Sequence, residues 1–133
     1  MKIYWLLLLM VLGSTCSFAR HIAGGELYYT YTGPDPSNAA NSVYTITLRL
    51  FRECNSSGPT LESEQATVGI YEGDILFRTL PLPRVSDVNT ISLNTASFPC
   101  LVGNVGACYQ VALYSASIVL PNSTIGYTLS RLG

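Results

Sequence analysis

Apolar and polar residues alternate one by one along much of this chain, most regularly from Val43 to Arg52. Tyr44, Ile46, Leu48 and Leu50 fall on one face there and Thr45, Thr47 and Arg49 on the other, the two-residue period of a half-buried strand. Glu26 to Thr32 repeats the pattern, with Leu27, Tyr29 and Tyr31 opposite Tyr28, Thr30 and Thr32. Both runs use the aromatic and β-branched residues that suit a pleated surface. Gln65 to Tyr71 and Ile75 to Leu80 flank Glu72-Gly73-Asp74 and predict a hairpin with a glycine-bearing turn. Val88 to Leu93, Tyr109 to Leu120 and Ile125 to Ser130 bring the set to about seven strands.

Turn-forming residues punctuate these runs at Gly33-Pro34-Asp35-Pro36-Ser37-Asn38, Asn55-Ser56-Ser57-Gly58-Pro59, Pro81-Leu82-Pro83 and Pro121-Asn122-Ser123. Past the first 19 residues no stretch holds apolar residues at helical spacing for three turns, and Lys, Glu and Gln are scarce. The expected fold is all-β, an antiparallel immunoglobulin-like sandwich, with a small barrel as the alternative.

The amino end is different. Lys2 precedes an unbroken apolar run from Ile3 to Leu12, which Gly13-Ser14-Thr15 ends before Ser17-Phe18-Ala19. That is the layout of an export signal, and it predicts cleavage between Ala19 and Arg20. The run is about half of the roughly 20 residues a membrane-spanning helix needs, so no membrane span is expected after cleavage. Residues 20–133 then form one module of 114 residues, long enough to bury a core.

Removing the leader takes away the one lysine and leaves six scattered arginines against eight acids, a formal charge of −2. Nucleic acid is excluded as a partner, because phosphate binding needs clustered cations. With 48% hydrophobic and 11% charged residues, the chain is too apolar for disorder and suits a packed domain. So little charge also leaves uncharged surface free to pack against neighbours.

Of the four cysteines, Cys16 leaves with the leader, so the mature chain carries an odd set: Cys54, Cys100 and Cys108. Cys100 and Cys108 bracket a loop with two glycines and are the first-choice pair, a bridge worth about 2.5 kcal/mol on the loop-entropy model. Cys54, just past the strongest strand, is then unpaired or an alternative partner for either of the others. A catalytic thiol would need a base, and the one histidine, His21, lies two residues from the new terminus.

Other candidate sites have simpler readings. Glu72 and Asp74 are two oxygen donors where calcium wants six or more, and read as a solvated turn. Glu62 and Glu64 resemble an acid/base pair, yet nothing in their loop raises either pKa. Asn55-Ser56-Ser57 and Asn122-Ser123-Thr124 match the glycosylation triplet. Tyr28, Tyr29, Tyr31, Tyr44, Tyr109, Tyr114 and Tyr127 could offer a sugar-stacking face, but alternation places about half of them inward, so only outward ones such as Tyr28 could serve. No zinc spacing, phosphate loop or nucleophile elbow is present, so no cofactor, metal or catalytic residue is assigned.

Three segments carry a family resemblance. His21-Ile22-Ala23-Gly24-Gly25-Glu26-Leu27-Tyr28-Tyr29-Thr30-Tyr31 resembles the mature start of large cell-surface proteins of Bacteroidota-type bacteria. The strand from Tyr44 that ends in Arg52-Glu53-Cys54 is similar to the next signature of that family. Cys108-Tyr109-Gln110 through Val119-Leu120-Pro121 to Gly126-Tyr127-Thr128-Leu129-Ser130 is similar to a third. Such proteins carry this module at the amino end, followed by PKD-type repeats and a gliding-motility-associated sorting domain for type IX secretion. The family pattern continues after Ser130 with an arginine flanked by paired cysteines, where this chain reads Arg131-Leu132-Gly133. The resemblance therefore implies a module truncated at its carboxyl end, with a partner for Cys54 on the missing segment.

The expectation is a non-enzymatic, secreted or cell-surface structural or adhesion module, the amino-terminal cap of a longer extracellular protein. Its expected partners are the following domains or other cell-surface components, with glycans next. Its expected location is extracellular or cell-surface, or periplasmic without a sorting domain. The alternative is a carbohydrate-binding module, which should display two or more coplanar rings on one exposed face. A structural module should instead bury its rings and expose Thr and Ser.

Overall fold

The computed structural model describes residues 22–92 and 106–132, and all of its regular elements are strands. In chain order they are β1 (Ile22–Asp35), β2 (Asn38–Glu53), β3 (Ala66–Glu72), β4 (Ile75–Leu82), β5 (Asn89–Ser92), β6 (Cys108–Pro121) and β7 (Tyr127–Leu132). They form two antiparallel sheets, a four-stranded one in the order β1-β2-β6-β5 and a three-stranded one in the order β4-β3-β7. The described residues thus form an all-β sandwich of seven strands, as the alternation predicts. The leader, His21 and Cys100 lie outside the described residues.

Alternation decides the core. On β2, Ile46, Leu48 and Leu50 turn inward and meet Val68 and Ile70 of β3, Leu82 of β4, and Ala112, Tyr114, Ile118 and Leu120 of β6. The outer face of the β2–β6 pair carries hydroxyls instead, with Thr45 opposite Ser117 at 3.2 Å and Thr47 opposite Ser115 at 3.1 Å. Cross-strand hydroxyl pairs of this kind hold register while leaving the face wet.

Two of the predicted turns are tighter than their sequences suggest. Pairing runs through Gly33, Pro34 and Asp35 and resumes at Asn38, so only Pro36 and Ser37 turn. The Asp35 carboxylate accepts bonds from the Ser37 backbone N–H and hydroxyl, which closes the turn and lowers the carboxyl's pKa. Pro81 and Leu82 likewise belong to β4, an edge strand, where a proline's missing N–H is tolerated. The β3–β4 hairpin has Gly73 at its first central position with φ 60° and no positive φ at Asp74, as a type II′ turn requires.

The long β2–β3 connection is tied down by two buried groups. Leu61 is fully buried, and its carbonyl accepts a 2.6 Å bond from the Tyr114 hydroxyl. We expect Tyr114→Phe to cost about 1–2 kcal/mol, since it leaves that buried carbonyl unpaired, and chemical denaturation would read it. Burial first, and the Glu64 carboxylate second, push the Tyr114 phenol above its ordinary value of 10.0. Below pH ~10 the phenol is neutral in both folded and unfolded chains; above it the unfolded chain ionises first, so stability falls as pH rises. Tyr114→Phe should show a shallower fall above pH ~10 than the parent.

The bridge at the other end is the alternative pairing of Cys54 and not the first-choice pair Cys100–Cys108. Cys108 is bonded to Cys54, with Cα atoms 5.4 Å apart, so it is not available to Cys100. The reason is register: β2 and β6 are antiparallel neighbours with Glu53 opposite Tyr109, and Cys54 N–H donates to the Cys108 carbonyl at 3.0 Å. The two side chains therefore emerge within bridging distance.

Candidate functional site

A cleft opens at the end of the sandwich opposite the disulfide. Three strands of one sheet and one of the other meet there around a volume of about 250 Å³, lined by Tyr29, Tyr44, Ile46, Leu120, Tyr127 and Leu129. Tyr29 and Tyr44 project from β1 and β2 because Tyr29 sits opposite Ile46, and Tyr31 opposite Tyr44, in the β1–β2 register. Their rings meet obliquely: Tyr29 is edge-on to Tyr44 at 5.9 Å and 77°, and Tyr31 tilts against it at 5.6 Å and 58°.

Tyr127 is delivered by a local turn. The Ser123 hydroxyl oxygen accepts bonds from the N–H groups of Ile125 and Gly126, and Gly126 takes a φ of 79°, which swings the chain into β7. The strand expected from Ile125 accordingly starts two residues later, at Tyr127. Tyr127 then donates its hydroxyl to the Pro121 carbonyl at 2.9 Å and tilts against Phe77 at 5.6 Å. Partial burial, helped by the Glu72 carboxylate, raises its phenol pKa, so the hydroxyl is a neutral donor near pH 7.

None of the side chains lining the cleft is charged. It can take up an apolar or neutral group and offer a few hydroxyls, but it brings no acid or base to bear on it. No family profile, characterised protein or solved structure matches the chain. The functional reading therefore rests on these residues and on what the sequence suggests.

The residues singled out from sequence are dispersed. Glu72 and Asp74 border the tight β3–β4 turn, and among the described residues no group of three or more His, Cys, Asp or Glu could hold a metal ion. Glu62 and Glu64 do not form an acid/base pair. Hydrogen bonding from its own backbone and from Thr60 lowers the pKa of Glu62, whereas Glu64 accepts a 2.6 Å bond from Arg131. Asn122, in the second glycosylation triplet, has its side chain engaged by Ser42 and by the Ala39 carbonyl. The tyrosine rings that are exposed, Tyr28, Tyr29 and Tyr31, come from β1, and the ring pairs at the cleft are tilted rather than coplanar.

Arg52 stood in the sequence only as part of the signature that ends β2, and its bracing role was missed. It is 5% exposed, and its guanidinium donates to Gln110 Oε1 at 2.8 Å and to the carbonyls of Ser56 at 2.6 Å and Gly58 at 2.9 Å. The signal was there: Arg52 continues the even-numbered inward series Tyr44, Ile46, Leu48, Leu50.

Proposed function

We propose that this chain is an exported, non-enzymatic structural or adhesion module of the cell surface, the amino-terminal cap of a longer extracellular protein. One observation carries the reading. The distinctive residues of its sequence signatures, Arg52, Cys54 and Cys108, are spent on bracing the fold: Arg52 clamps the loop after β2, and the two cysteines staple β2 to β6. A disulfide suits an oxidising compartment, in keeping with the leader of residues 1–19. Hydroxyl ladders cover the outer face of the β2–β6 pair, as a structural module would have. The carbohydrate-binding alternative wants coplanar rings, and the tilted pairs at the cleft favour the structural role.

Protease treatment of intact cells tests this. The expected result is loss of the protein from whole cells with a cytoplasmic marker untouched. Full protection in intact cells and release only on lysis would overturn the surface assignment. A glycan array should stay blank. Binding to a defined glycan that is lost in Tyr29→Ala would replace the structural reading with the carbohydrate one.

A further inference from the structure

The two sheets do not match in width. The sheet β1-β2-β6-β5 has one strand more than β4-β3-β7, and β1 is at the same side of the sandwich as β7. The register puts Leu27, Tyr29 and Tyr31 of β1 opposite Leu48, Ile46 and Tyr44 of β2, hence on the face that elsewhere forms the core. Yet Tyr29 is 63% and Tyr31 56% exposed, against 1% for Ile46. The inner face of β1 overhangs a position where the second sheet has no strand among the described residues. The cleft lined by Tyr29, Tyr127 and Leu129 is the open mouth of that position.

The edges of the sheets point the same way. A free strand edge is usually blunted by proline, bulges, unpaired charge or shortness. Edge β1 has Pro34 and three register shifts, β4 has Pro81, Arg78 and a shift in its ladder with β3, and β5 is four residues long. Edge β7 has an unbroken register with β3, no proline and no lysine, and its one charge, Arg131, is engaged by Glu64. Among the described residues it is the one edge with none of these guards left unneutralised.

We propose that the slot between the edge of β7 and the overhanging face of β1 receives a single extended strand from another polypeptide. Among the described residues no strand pairs the outer edge of β7, and such an edge calls for a strand as the occupant, because only main chain satisfies a row of N–H and C=O groups. The slot's lining fixes its chemistry: uncharged, about six residues long to match β7, with apolar side chains at alternate positions to cover Tyr29, Tyr31 and Leu129. A second folded copy does not fit. Its own β7 would arrive beneath its own β1, and the two overhanging strands would compete for the same space. The inference extends the proposed role as a module that joins neighbours, and it names the joint.

Amide hydrogen exchange on the purified, disulfide-intact mature protein tests it without reference to cellular location, so failure here and failure of the surface assignment are separable. The probe is the peptide acetyl-Lys-Thr-Val-Thr-Val-Thr-Val-Thr-Lys-amide, with a control carrying proline in place of each threonine. The alternate amides of residues 127–132 that point away from β3 should exchange freely in the protein alone and slow about tenfold with the Thr/Val peptide, but not with the control. The double variant Tyr29→Asp, Tyr31→Asp, checked for an unchanged melting temperature, should weaken the peptide's effect about tenfold. Four outcomes would overturn the proposal: protection of the outward-pointing amides of 127–132 before any peptide is added, protection at β4 or β5 instead, equal protection by the proline control, or no added protection at all. The first would mean that the chain itself or a second copy fills the slot, and gel filtration would tell these apart.

Discussion

Replacing Cys54 with serine should lower stability by about 4 kcal/mol, the largest loss among the changes considered. The bridge joins residues 54 positions apart, so opening it releases a long loop in the unfolded chain, and the loop-entropy model gives about 4 kcal/mol for that length. A domain of this size should then melt roughly 12–20 °C lower. Cys108→Ser should match it, and dithiothreitol should bring the parent to the same midpoint while leaving both variants unmoved. A bridge to Cys100 predicts something else: Cys100→Ser would then be as damaging as Cys108→Ser, and Cys54→Ser nearly silent. Urea midpoints of the three serine variants, measured together, separate the two connectivities.

Arg52→Ala should cost about 3 kcal/mol, second only to the disulfide among the changes considered. The guanidinium is buried, and it is the donor to the Ser56 and Gly58 carbonyls in the loop that leads from β2 toward β3. Truncation leaves those carbonyls without that donor, strands Gln110 and opens a cavity beside the staple. Arg52→Lys should recover only part of the loss, because an ammonium cannot reproduce the planar fork that reaches two carbonyls and a side-chain amide together. A lysine variant as stable as the parent would mean that charge, and not fork geometry, holds the loop. Denaturant titrations of both variants read the difference, and faster proteolysis between Cys54 and Leu61 should accompany the alanine change.

These two residues also mark where sequence stops being informative. The strands were legible because burial of one face forces a period of two, and β2 and β6 are long enough to show it. Whether Cys108 lay next to Cys54 or Cys100 was not legible, since that depends on which strands become neighbours across more than fifty residues. The Cys100–Cys108 spacing was a local cue, and a nonlocal pairing overrode it. Arg52 occupied an inward position in plain view, but a charge at the end of an apolar series reads as the strand's end until the loop carbonyls that meet it are known. The cleft is the same kind of case. Alternation placed Leu27, Tyr29 and Tyr31 on one face of β1, as the register shows, but whether another strand covers that face is decided by counting strands in the opposite sheet.

The Cys54–Cys108 bridge closes the domain, and export of that domain is the proposal to be tested with it. The most direct measurement is the intact mass of the secreted protein after alkylation, with and without prior reduction. A mass beginning at Arg20, with one alkylated cysteine before reduction and three after it, is what the account predicts. Three alkylated cysteines without reduction, or a chain that still begins at Met1, would contradict it.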